Sequence, residues 1–446
     1  MKYSLKVIAY AITFIFIQLS CSNPTSPPSP SREMPKTVKL KLIDVSCTEA
    51  FINVTASDTI LPINITLNKD EKALYNFILT KTDTILIDTT LQAGKTYIYQ
   101  TTTKIKGETE NSDTLQVKTL ELTSNNYTWQ KYTFGNGASS TLYDAAIMNE
   151  NNIWCVGVIN FNDSSKNGFT AYNAIHWNGN EWELKQIQFY TFCGQSSVGS
   201  YPAKAIFALS DSMMIVGSAS QLAYMNGEKQ IKTECIPLTI SINKIWGTSD
   251  NDFYVVGNSG SIAHYLNGQW GKIESGLNLN IHDINGFLNP FSGKNEILCV
   301  ADDPYYLQKV QVISIKEDNT TELIDNTGLG IAISSVWFKP GVQYFIVGNG
   351  LYEKTYAETV RWIDINNNRT ITQNYIVAIR GNGLNDIIVT GAFGEVIHFN
   401  GQQWKSFIDQ TSLINGTYSS VAIKGNLVVA VGQDQNQGVI LIGHHL

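Results

Sequence analysis

Residues 242–270 read INKIWGTSDNDFYVVGNSGSIAHYLNGQW, and this stretch decides the fold of the chain. It contains a short apolar strand, a second strand that ends at Gly257, and a third strand that runs into Asn267-Gly268. Asn-Gly favours a tight hairpin because a type I′ turn needs positive φ at both central residues. A fourth strand then begins at Trp270. Four short strands joined by tight turns predict one antiparallel sheet of a repeating β-structure.

The second strand of this unit recurs along the C-terminal part of the chain, ending each time in Val-Gly or a near variant. The copies are residues 153–157, 213–217, 253–257, 297–301, 344–348, 387–391 and 428–432. The steps between their last residues are 60, 40, 44, 47, 43 and 41. Apart from the first step, which contains an inserted segment at 160–170, this is the period of four-stranded propeller blades.

The seventh unit has sequence for only three strands, and the missing strand is found at the start of the repeat region. Residues 127–134 read YTWQKYTF and resemble the Trp-led fourth strands at Trp182, Trp270 and Trp404. Pairing this segment with the last three strands would close the ring and remove two exposed sheet edges. The sequence therefore predicts an all-β protein with a seven-bladed β-propeller over residues 123–446, closed by one strand plus three.

The repeats resemble the propellers of the BNR and photosystem II assembly factor (Ycf48-like) group. Residues 245–270 carry the clearest copy, Ile-Trp-Gly followed by Val-Gly and Asn-Gly-x-Trp. The resemblance covers most of residues 123–446 but is weak at the third-strand turns of units four and five. It implies a propeller fold and suggests by analogy a role in assembling an envelope complex.

Residues 1–20 have the pattern of an export signal. Lys2 and Lys6 precede an apolar run at 7–19 that is too short to span a bilayer. The following Gln18-Leu19-Ser20-Cys21 resembles the lipobox of bacterial lipoproteins, which implies cleavage before Cys21 and lipid attachment to its thiol. Residues 21–36 hold five of the eleven prolines and form a predicted semi-rigid stalk. We therefore expect a bacterial cell-envelope protein anchored by lipid at the outer membrane or cell surface.

Residues 37–122 contain seven short alternating runs, which favour a small Ig-like sandwich. The segment 91–99, LQAGKTYIY, resembles the tyrosine-corner motif of fibronectin type III domains. The resemblance implies that the Tyr97 hydroxyl bonds back to the chain, although Ala93 stands where that family has proline. Such domains commonly act as spacers.

Composition excludes some functions. Charged residues make up 15% of the chain and the net charge is −7, so no basic surface is available to neutralise nucleic-acid phosphates. The sequence contains no Gly-rich phosphate loop, nucleophile elbow or zinc motif, and we expect no cofactor and no metal site. His444 and His445 match no metal-ligand spacing.

Five cysteines remain beyond Cys21. Cys155 and Cys299 share a position in the second strand of their units and are predicted to be small buried residues. Cys193 and Cys235 fall in fourth-strand regions of adjacent units. The sequence leaves open whether they form a disulfide, which an oxidising envelope would favour.

Repeated residues favour structural roles over catalysis. Three histidines occupy one repeat position, and the four fourth-strand tryptophans are best placed to pack between blades. These residues are His176, His264, His398, Trp129, Trp182, Trp270 and Trp404. Asp283 and the pair Asp302-Asp303 lie in the right broad region for acid–base chemistry, but nothing defines their separation, so the sequence favours a turn or a solvated loop for them.

The function favoured by the sequence is non-catalytic binding of a protein or glycan on a propeller face. Recognition residues concentrate on loops, so the inserted segment is the candidate binding loop. Its candidate residues are Asn160, Phe161, Asn162, Asp163 and Asn167. Two alternatives stay open: a carbohydrate-active lyase, hydrolase or glycosyl transferase, and an assembly factor for an envelope complex.

Overall fold

A computed structural model describes residues 37–165, 168–303, 309–355 and 361–445. The predicted signal peptide, Cys21 and the stalk lie outside these residues, as does Asn167 of the candidate binding loop. Strands dominate the described residues, and the all-β prediction is confirmed. In this part of the chain, no helix has the length and apolarity needed to cross a membrane.

The N-terminal region forms two antiparallel sheets. Their strands are β1 (Val38–Val45), β2 (Ala50–Ala56), β3 (Ile63–Lys69), β4 (Lys72–Leu79), β5 (Asp83–Asp88), β6 (Thr96–Ile105), β7 (Glu108–Asn111) and β8 (Leu115–Lys118). One sheet has the order β1-β2-β5 and the other β4-β3-β6-β7, with β8 also pairing with β6. Buried residues of both sheets, including Ile52, Leu67 and Tyr99, form a shared core. The Tyr97 hydroxyl accepts a hydrogen bond of 2.9 Å from the Gln92 N–H.

Residues 127–445 form, within the described ranges, seven four-stranded antiparallel sheets, which we call sheets I to VII. The strands are sheet I, β10 (Thr141–Asn149), β11 (Asn152–Asp163), β12 (Gly168–Trp177) and β13 (Trp182–Lys185); sheet II, β16 (Ala205–Ala208), β17 (Met213–Ser218), β18 (Gln221–Asn226) and β19 (Lys229–Cys235); sheet III, β20 (Ile242–Ser249), β21 (Asp252–Gly257), β22 (Ser261–Leu266) and β23 (Gln269–Glu274); sheet IV, β24 (Asn280–Asn289), β25 (Lys294–Asp302), β26 (Val310–Ile315) and β27 (Thr321–Ile324); sheet V, β28 (Ile333–Lys339), β29 (Gln343–Gly348), β30 (Leu351–Thr355) and β31 (Ile363–Asp364); sheet VI, β32 (Ile376–Gly383), β33 (Asp386–Gly391), β34 (Val396–Phe399) and β35 (Trp404–Ser406); and sheet VII, β36 (Gly416–Lys424), β37 (Leu427–Asp434), β38 (Gln437–His445) and β9 (Tyr127–Phe134).

One hairpin and three helical turns lie between these strands or within the N-terminal region. A hairpin of β14 (Phe189–Tyr190) and β15 (Val198–Gly199) links sheets I and II. Single helical turns occur at Asp58–Ile60, Asn367–Arg369 and Ile408–Thr411.

Sheet VII takes its strands from both ends of the repeat region. Strand β9 pairs antiparallel with β38, with Tyr132 opposite Ile440 and Phe134 opposite Gly438. This is the pairing predicted for residues 127–134. Strand β9, the outer strand of sheet VII, thus precedes its partner β38 by about 300 residues in the chain. Bringing the two strands together costs a large loop-closure entropy.

Hydrophobic clusters join each sheet to the next around a ring. Consecutive residues of a second strand point to opposite faces, so Val255 packs toward sheet II while Val256 packs toward sheet IV. Both faces are buried, which explains the nearly continuous apolar runs of these strands. The last cluster combines Leu142 of sheet I with Val429 and Ile440 of sheet VII.

The repeated glycine that ends these strands has a steric cause. In sheet III the first strand bulges between Ile242 and Lys244, and Gly257 lies opposite the bulge. A Cβ atom on Gly257 would overlap the carbonyl oxygen of Ser241. The bulge in the first strand therefore brings its backbone into the space that a side chain at position 257 would occupy.

The N-terminal sheets dock on the outside of sheets V and VI. Phe51 of β2 is buried in the cluster that joins these two sheets, and Trp404 packs against the same cluster. Lys339 forms an ion pair of 3.1 Å with Asp44, and Asn385 donates to the Glu121 carbonyl at 2.9 Å. The interface is thus apolar at its centre and polar at its rim.

Candidate functional site

The first strands of the seven sheets line a central axis, and in every sheet but sheet II this strand bulges and presents one residue inward just after the bulge. Polar residues occupy this position in five sheets: Asp144, Lys244, Asp283, Ser335 and Ser420. Arg380 of β32 reaches the same level, where its guanidinium contacts Asp283 and Ser335. We call these six residues the axial belt.

The charges of the axial belt are paired. Lys244 Nζ lies 2.6 Å from Asp144 Oδ1, which also accepts from the Ser420 hydroxyl at 2.8 Å. Arg380 donates to both oxygens of Asp283 at 2.8 and 2.7 Å. Bidentate pairs of this kind are the strong form of charged hydrogen bond.

Asp283 is ionised although it is buried. Burial is the largest influence and alone would raise the pKa of this carboxyl, but the charge and hydrogen bonds of Arg380 and the other groups near it together outweigh burial. Lys244 and the Ser335 hydroxyl add to the effect, and the net pKa lies below the usual value. Asp283 was predicted from sequence either to serve in acid–base chemistry or to lie in a turn or solvated loop; the structure places it in an ion pair at the axis instead.

The axis opens at a polar mouth above the belt, a cavity of about 240 Å³. Its lining includes Tyr143, Lys204, Asn243, His282, Ser334 and Ser419. The Lys204 ammonium lies 3.3 Å from the centre of the Tyr143 ring and has no carboxylate partner among the described residues. His282 Nε2 lies 2.6 Å from Asp302 Oδ1 at the same mouth. The polar mouth thus offers one cation without a countercharge.

The opposite end of the axis is an apolar mouth of about 290 Å³. Its lining includes Ile147, Phe207, Trp246, Phe287 and Trp337. The difference follows from strand direction, because the polar mouth is formed by the first residues of the inner strands and the apolar mouth by their later residues.

The segments that link one sheet to the next lie at the polar mouth, since each leads into the start of an inner strand. The turns between second and third strands lie at the same edge in an antiparallel sheet. We call this surface the polar-mouth face. Eight exposed large apolar side chains are found on it: Phe169, Phe192, Val198, Tyr201, Ile331, Tyr375, Phe393 and Ile414.

The opposite face is poorer in such side chains. Among the described residues of the seven sheets, its turns expose the large apolar residues Leu266 and Leu288. On the polar-mouth face Ile414 is 77% exposed and Phe192 is 66% exposed. The two faces therefore differ in the number of large apolar side chains that their described residues expose.

A disulfide braces part of the polar-mouth face. Cys193, between β14 and β15, is bonded to Cys235 at the end of β19. Gln221 adds a second tie, since its side chain exchanges two hydrogen bonds of 2.8 Å with the backbone of Tyr190. The exposed Phe192 therefore stands on a hairpin held at two points. Cys155 and Cys299 are free and buried.

The candidate binding loop differs from the prediction. Residues 160–163 continue strand β11, whose partner strand begins at Gly168, so the insertion is a longer hairpin. Asn160 is buried, and its side chain donates to the Ser139 carbonyl at 2.8 Å. Phe161 packs on Tyr172 in the core, and Asn162 bonds to Asn136. Asp163 accepts from Thr170 within the hairpin. These side chains hold the hairpin, and Phe169 presents its apolar surface.

The repeated histidines connect strands. His264 stacks on Tyr254 at 4.0 Å, and its Nε2 lies 2.8 Å from Asp252 Oδ1 in the neighbouring strand. His398 makes the equivalent contact with Asp386 at 3.1 Å. Each of the four fourth-strand tryptophans packs against the preceding sheet. Trp270 also donates a hydrogen bond of 2.8 Å to Glu234 of sheet II.

One group of side chains among the described residues has the composition of a metal site. His176, Glu183 and Glu228 bring one nitrogen and two carboxylates together within 4.8 Å at the junction of sheets I and II. Sequence spacing could not reveal it, because Glu228 comes from a turn of the next sheet.

No protein-family model and no curated protein matches this chain. Solved structures do. The chain is similar to Ycf48 bound to D1 peptide, with 13% identity and a TM-score of 0.52 over 72% of this chain and 99% of that one. It is also similar to the WD40 propeller domain of Doa1, with 12% identity, a TM-score of 0.49, and 72% and 98% coverage. Ycf48 from Cyanidioschyzon merolae gives 13% identity, a TM-score of 0.47, and 71% and 98% coverage. The first likeness confirms the predicted β-propeller fold.

Proposed function

We propose that this chain is a lipid-anchored envelope protein whose propeller binds a segment of another protein on its polar-mouth face. One observation carries the proposal: among the described residues, eight exposed large apolar side chains lie on that face, around a mouth where Lys204 has no carboxylate partner. A surface that is apolar with a few defined polar groups suits the recognition of a peptide.

The nature of the exposed side chains favours protein over glycan. Six of the eight are Phe, Ile or Val, and two are Tyr. Three of them, Val198, Ile331 and Ile414, are aliphatic, and such groups match the apolar side chains of a peptide better than a sugar ring that carries hydroxyls. That Ycf48 has been solved with a bound D1 peptide supports a peptide ligand on a propeller of this kind.

We infer a seven-bladed ring and a fibronectin type III-like spacer as the frame for this function. The cyclic packing of sheets I to VII supports the first. The sheet orders β1-β2-β5 and β4-β3-β6-β8, with the Tyr97 contact to Gln92, support the second. The spacer and the stalk would hold the binding face away from the membrane.

An enzymatic role has less support. The axial carboxylates Asp144 and Asp283 are each paired with a cation at hydrogen-bond distance. Because Arg380 keeps the pKa of Asp283 low, this group is a poor proton donor at neutral pH.

The binding test compares the two faces of the propeller. Purified full-length protein carrying Phe192→Ser and Ile414→Ser is incubated with detergent-solubilised envelope and, in parallel, with peptide and glycan arrays. The matched control carries Leu266→Ser and Leu288→Ser on the opposite face. We expect the first variant to lose partner or peptide binding at least about tenfold, as for truncated interface anchors, and the control to bind as the wild type does. Equal binding by both variants contradicts the proposal. Binding to glycans alone would mean that the ligand is a glycan and not a protein segment.

Lipid anchoring is tested separately. Cys21→Ala should abolish incorporation of a labelled fatty acid and move the protein from the membrane fraction to the soluble fraction, because anchoring needs the acyl chains. Ser22→Ala is the control. Continued labelling of the Cys21→Ala protein would contradict lipidation at this residue.

A further inference from the structure

One of the three repeated histidines lacks a partner that the other two have. His264 Nδ1 lies 2.8 Å from Asn319 Oδ1, and His398 Nδ1 lies 2.7 Å from Asn125 Oδ1. His176 Nδ1 has no hydrogen-bond partner, although the side chain is only 7% exposed. A buried nitrogen without a partner is costly, so its surroundings call for an explanation.

The tautomer of His176 can be read from its neighbours. The Trp154 Nε1–H donates to Asn152 Oδ1 at 3.1 Å, which shows that this atom of Asn152 is an acceptor. His176 Nε2 lies 3.0 Å from the same oxygen and therefore carries the proton. The lone pair of the ring is then on Nδ1, in the orientation that a metal-ligating histidine has when its other nitrogen donates a hydrogen bond.

Two carboxylates face this lone pair. Glu228 Oε1 lies 3.6 Å and Glu183 Oε2 lies 3.8 Å from His176 Nδ1. These distances are too long for hydrogen bonds. They approach the separation of about 3.4 Å between neighbouring ligand atoms of a tetrahedral ion with bonds of about 2.1 Å. A lone pair that faces two anions is electrostatically unfavourable, and a cation between them would relieve the repulsion.

Lys185 supplies a cation in the structure. Its ammonium lies 2.6 Å from an oxygen of Glu183 and 2.6 Å from one of Glu228. The ammonium donates a hydrogen bond to Glu228 Oε2, but Glu183 Oε2 and the His176 lone pair have no hydrogen-bond partner among the described residues. The cluster therefore has a preference for positive charge that Lys185 meets only in part.

We propose that His176, Glu183 and Glu228 bind a divalent transition-metal ion of the Zn²⁺ class at the junction of sheets I and II, in competition with the Lys185 ammonium. One imidazole and two carboxylates suit Zn²⁺ better than the hard cations Ca²⁺ and Mg²⁺, which prefer all-oxygen sites. The ion would link strands β12 and β13 to the turn that follows β18, and so tie the first two sheets together.

The test uses the purified full chain, stripped with chelator and titrated with Zn²⁺ by calorimetry. Co²⁺ absorption in the visible range serves as a second readout of tetrahedral N/O coordination. We expect one ion per chain, with binding weakened at least about tenfold by His176→Gln and by Glu228→Gln. Lys185→Met should tighten binding, since it removes the competing charge. Glu181→Gln, in the neighbouring turn, is the matched control and should bind as the wild type does.

Several results would overturn the site. These are the absence of Zn²⁺ binding, binding that Glu228→Gln leaves unchanged, and weaker binding by Lys185→Met. Because Glu228 is 55% exposed on a turn, Glu228→Gln should fold even if His176→Gln does not. The position of the ion is thus tested by Glu228→Gln, which removes one carboxylate charge, and by Lys185→Met, which removes the competing ammonium.

Discussion

Single glycines determine how the inner strands bulge, and this gives a first prediction at the scale of the residue. Gly257→Ala should lower the free energy of unfolding by about 1–3 kcal/mol, because the new methyl group would overlap the Ser241 carbonyl. Urea denaturation measures the loss. In Gly271→Ala the methyl group would meet only the His264 carbonyl oxygen at 3.9 Å, so this control should be neutral. Equal stability of both variants would contradict the steric explanation.

The pair of Asp283 and Arg380 gives a second prediction. Arg380→Met should cost about 3–5 kcal/mol at pH 7, because it leaves a buried carboxylate without its cation. In the wild type the folded pKa of Asp283 is lowered, so the contribution of the pair is present above the unfolded pKa and lost as the pH falls through the folded pKa.

In Arg380→Met, only the charge of Lys244 and the Ser335 hydroxyl oppose the effect of burial on Asp283, so its pKa should rise and the stability deficit should shrink toward pH 4. Arg380→Met with Asp283→Asn is the control and should recover part of the loss at pH 7. Thermal unfolding across this pH range measures both effects. A deficit independent of pH would show that lost packing, and not the unpaired charge, is responsible.

At the scale of the element, the contact between the N-terminal sheets and sheet V contains two carboxyls. Burial raises the pKa of Glu353, and burial together with the charge of Glu353 raises the pKa of Glu49. A raised folded pKa means that the stabilising contribution is present at low pH and is lost as the pH rises through that pKa. The interface therefore carries repulsion at neutral pH.

Glu353→Gln should consequently raise the melting temperature at pH 7–8 and leave it unchanged near pH 4, where the carboxyl is protonated. The Gln343 side chain, which donates to Glu353 Oε1 at 2.9 Å, can make the same contact with the new amide. Glu274→Gln, at an exposed position, is the control. A lower melting temperature at pH 8 would mean that the Glu353 charge is stabilising.

The seven repeated strands could be predicted from sequence because they are buried on both faces and end where the bulge demands a small residue. Short apolar runs that end in Val-Gly, and Asn-Gly turns, are local signals. The extension of β11 past Asn160 was missed because Asn and Asp are typical of loops, and here their side chains are satisfied by Asn136 and Thr170 across the hairpin. Nothing in the sequence marks Asn136 or Thr170 as the partner of these side chains.

The site was harder to predict than the fold for the same reason. Asp144 and Lys244 are 100 residues apart, and Asp283 and Arg380 are 97 apart. Only the ring brings them to one axis. A signal existed for part of the belt: Asp144 and Lys244 each stand 13 residues before the glycine that ends the second strand of their unit, Gly157 and Gly257. Asp283 stands 18 residues before Ala301, so the same alignment would not have placed it.

At the scale of the whole molecule, the pairing of β9 with β38 should control stability. Deleting residues 127–134 should lower the melting temperature by on the order of 10 °C or more, because sheet VII loses its outer strand and Leu142 and Ile440 lose cover. Deleting eight residues from the stalk is the control and should have little effect. Equal melting temperatures would exclude this pairing as a stabilising closure.

That pairing also has a consequence for biogenesis. Strand β9 leaves the ribosome early, and its hydrogen-bonding edge stays bare until β38 has been synthesised. During this interval an apolar edge is open to other chains, which is the condition under which nascent β-proteins aggregate. A truncated translation product would keep that edge permanently, so a cell that makes this protein needs a chaperone or a protease able to recognise incomplete copies.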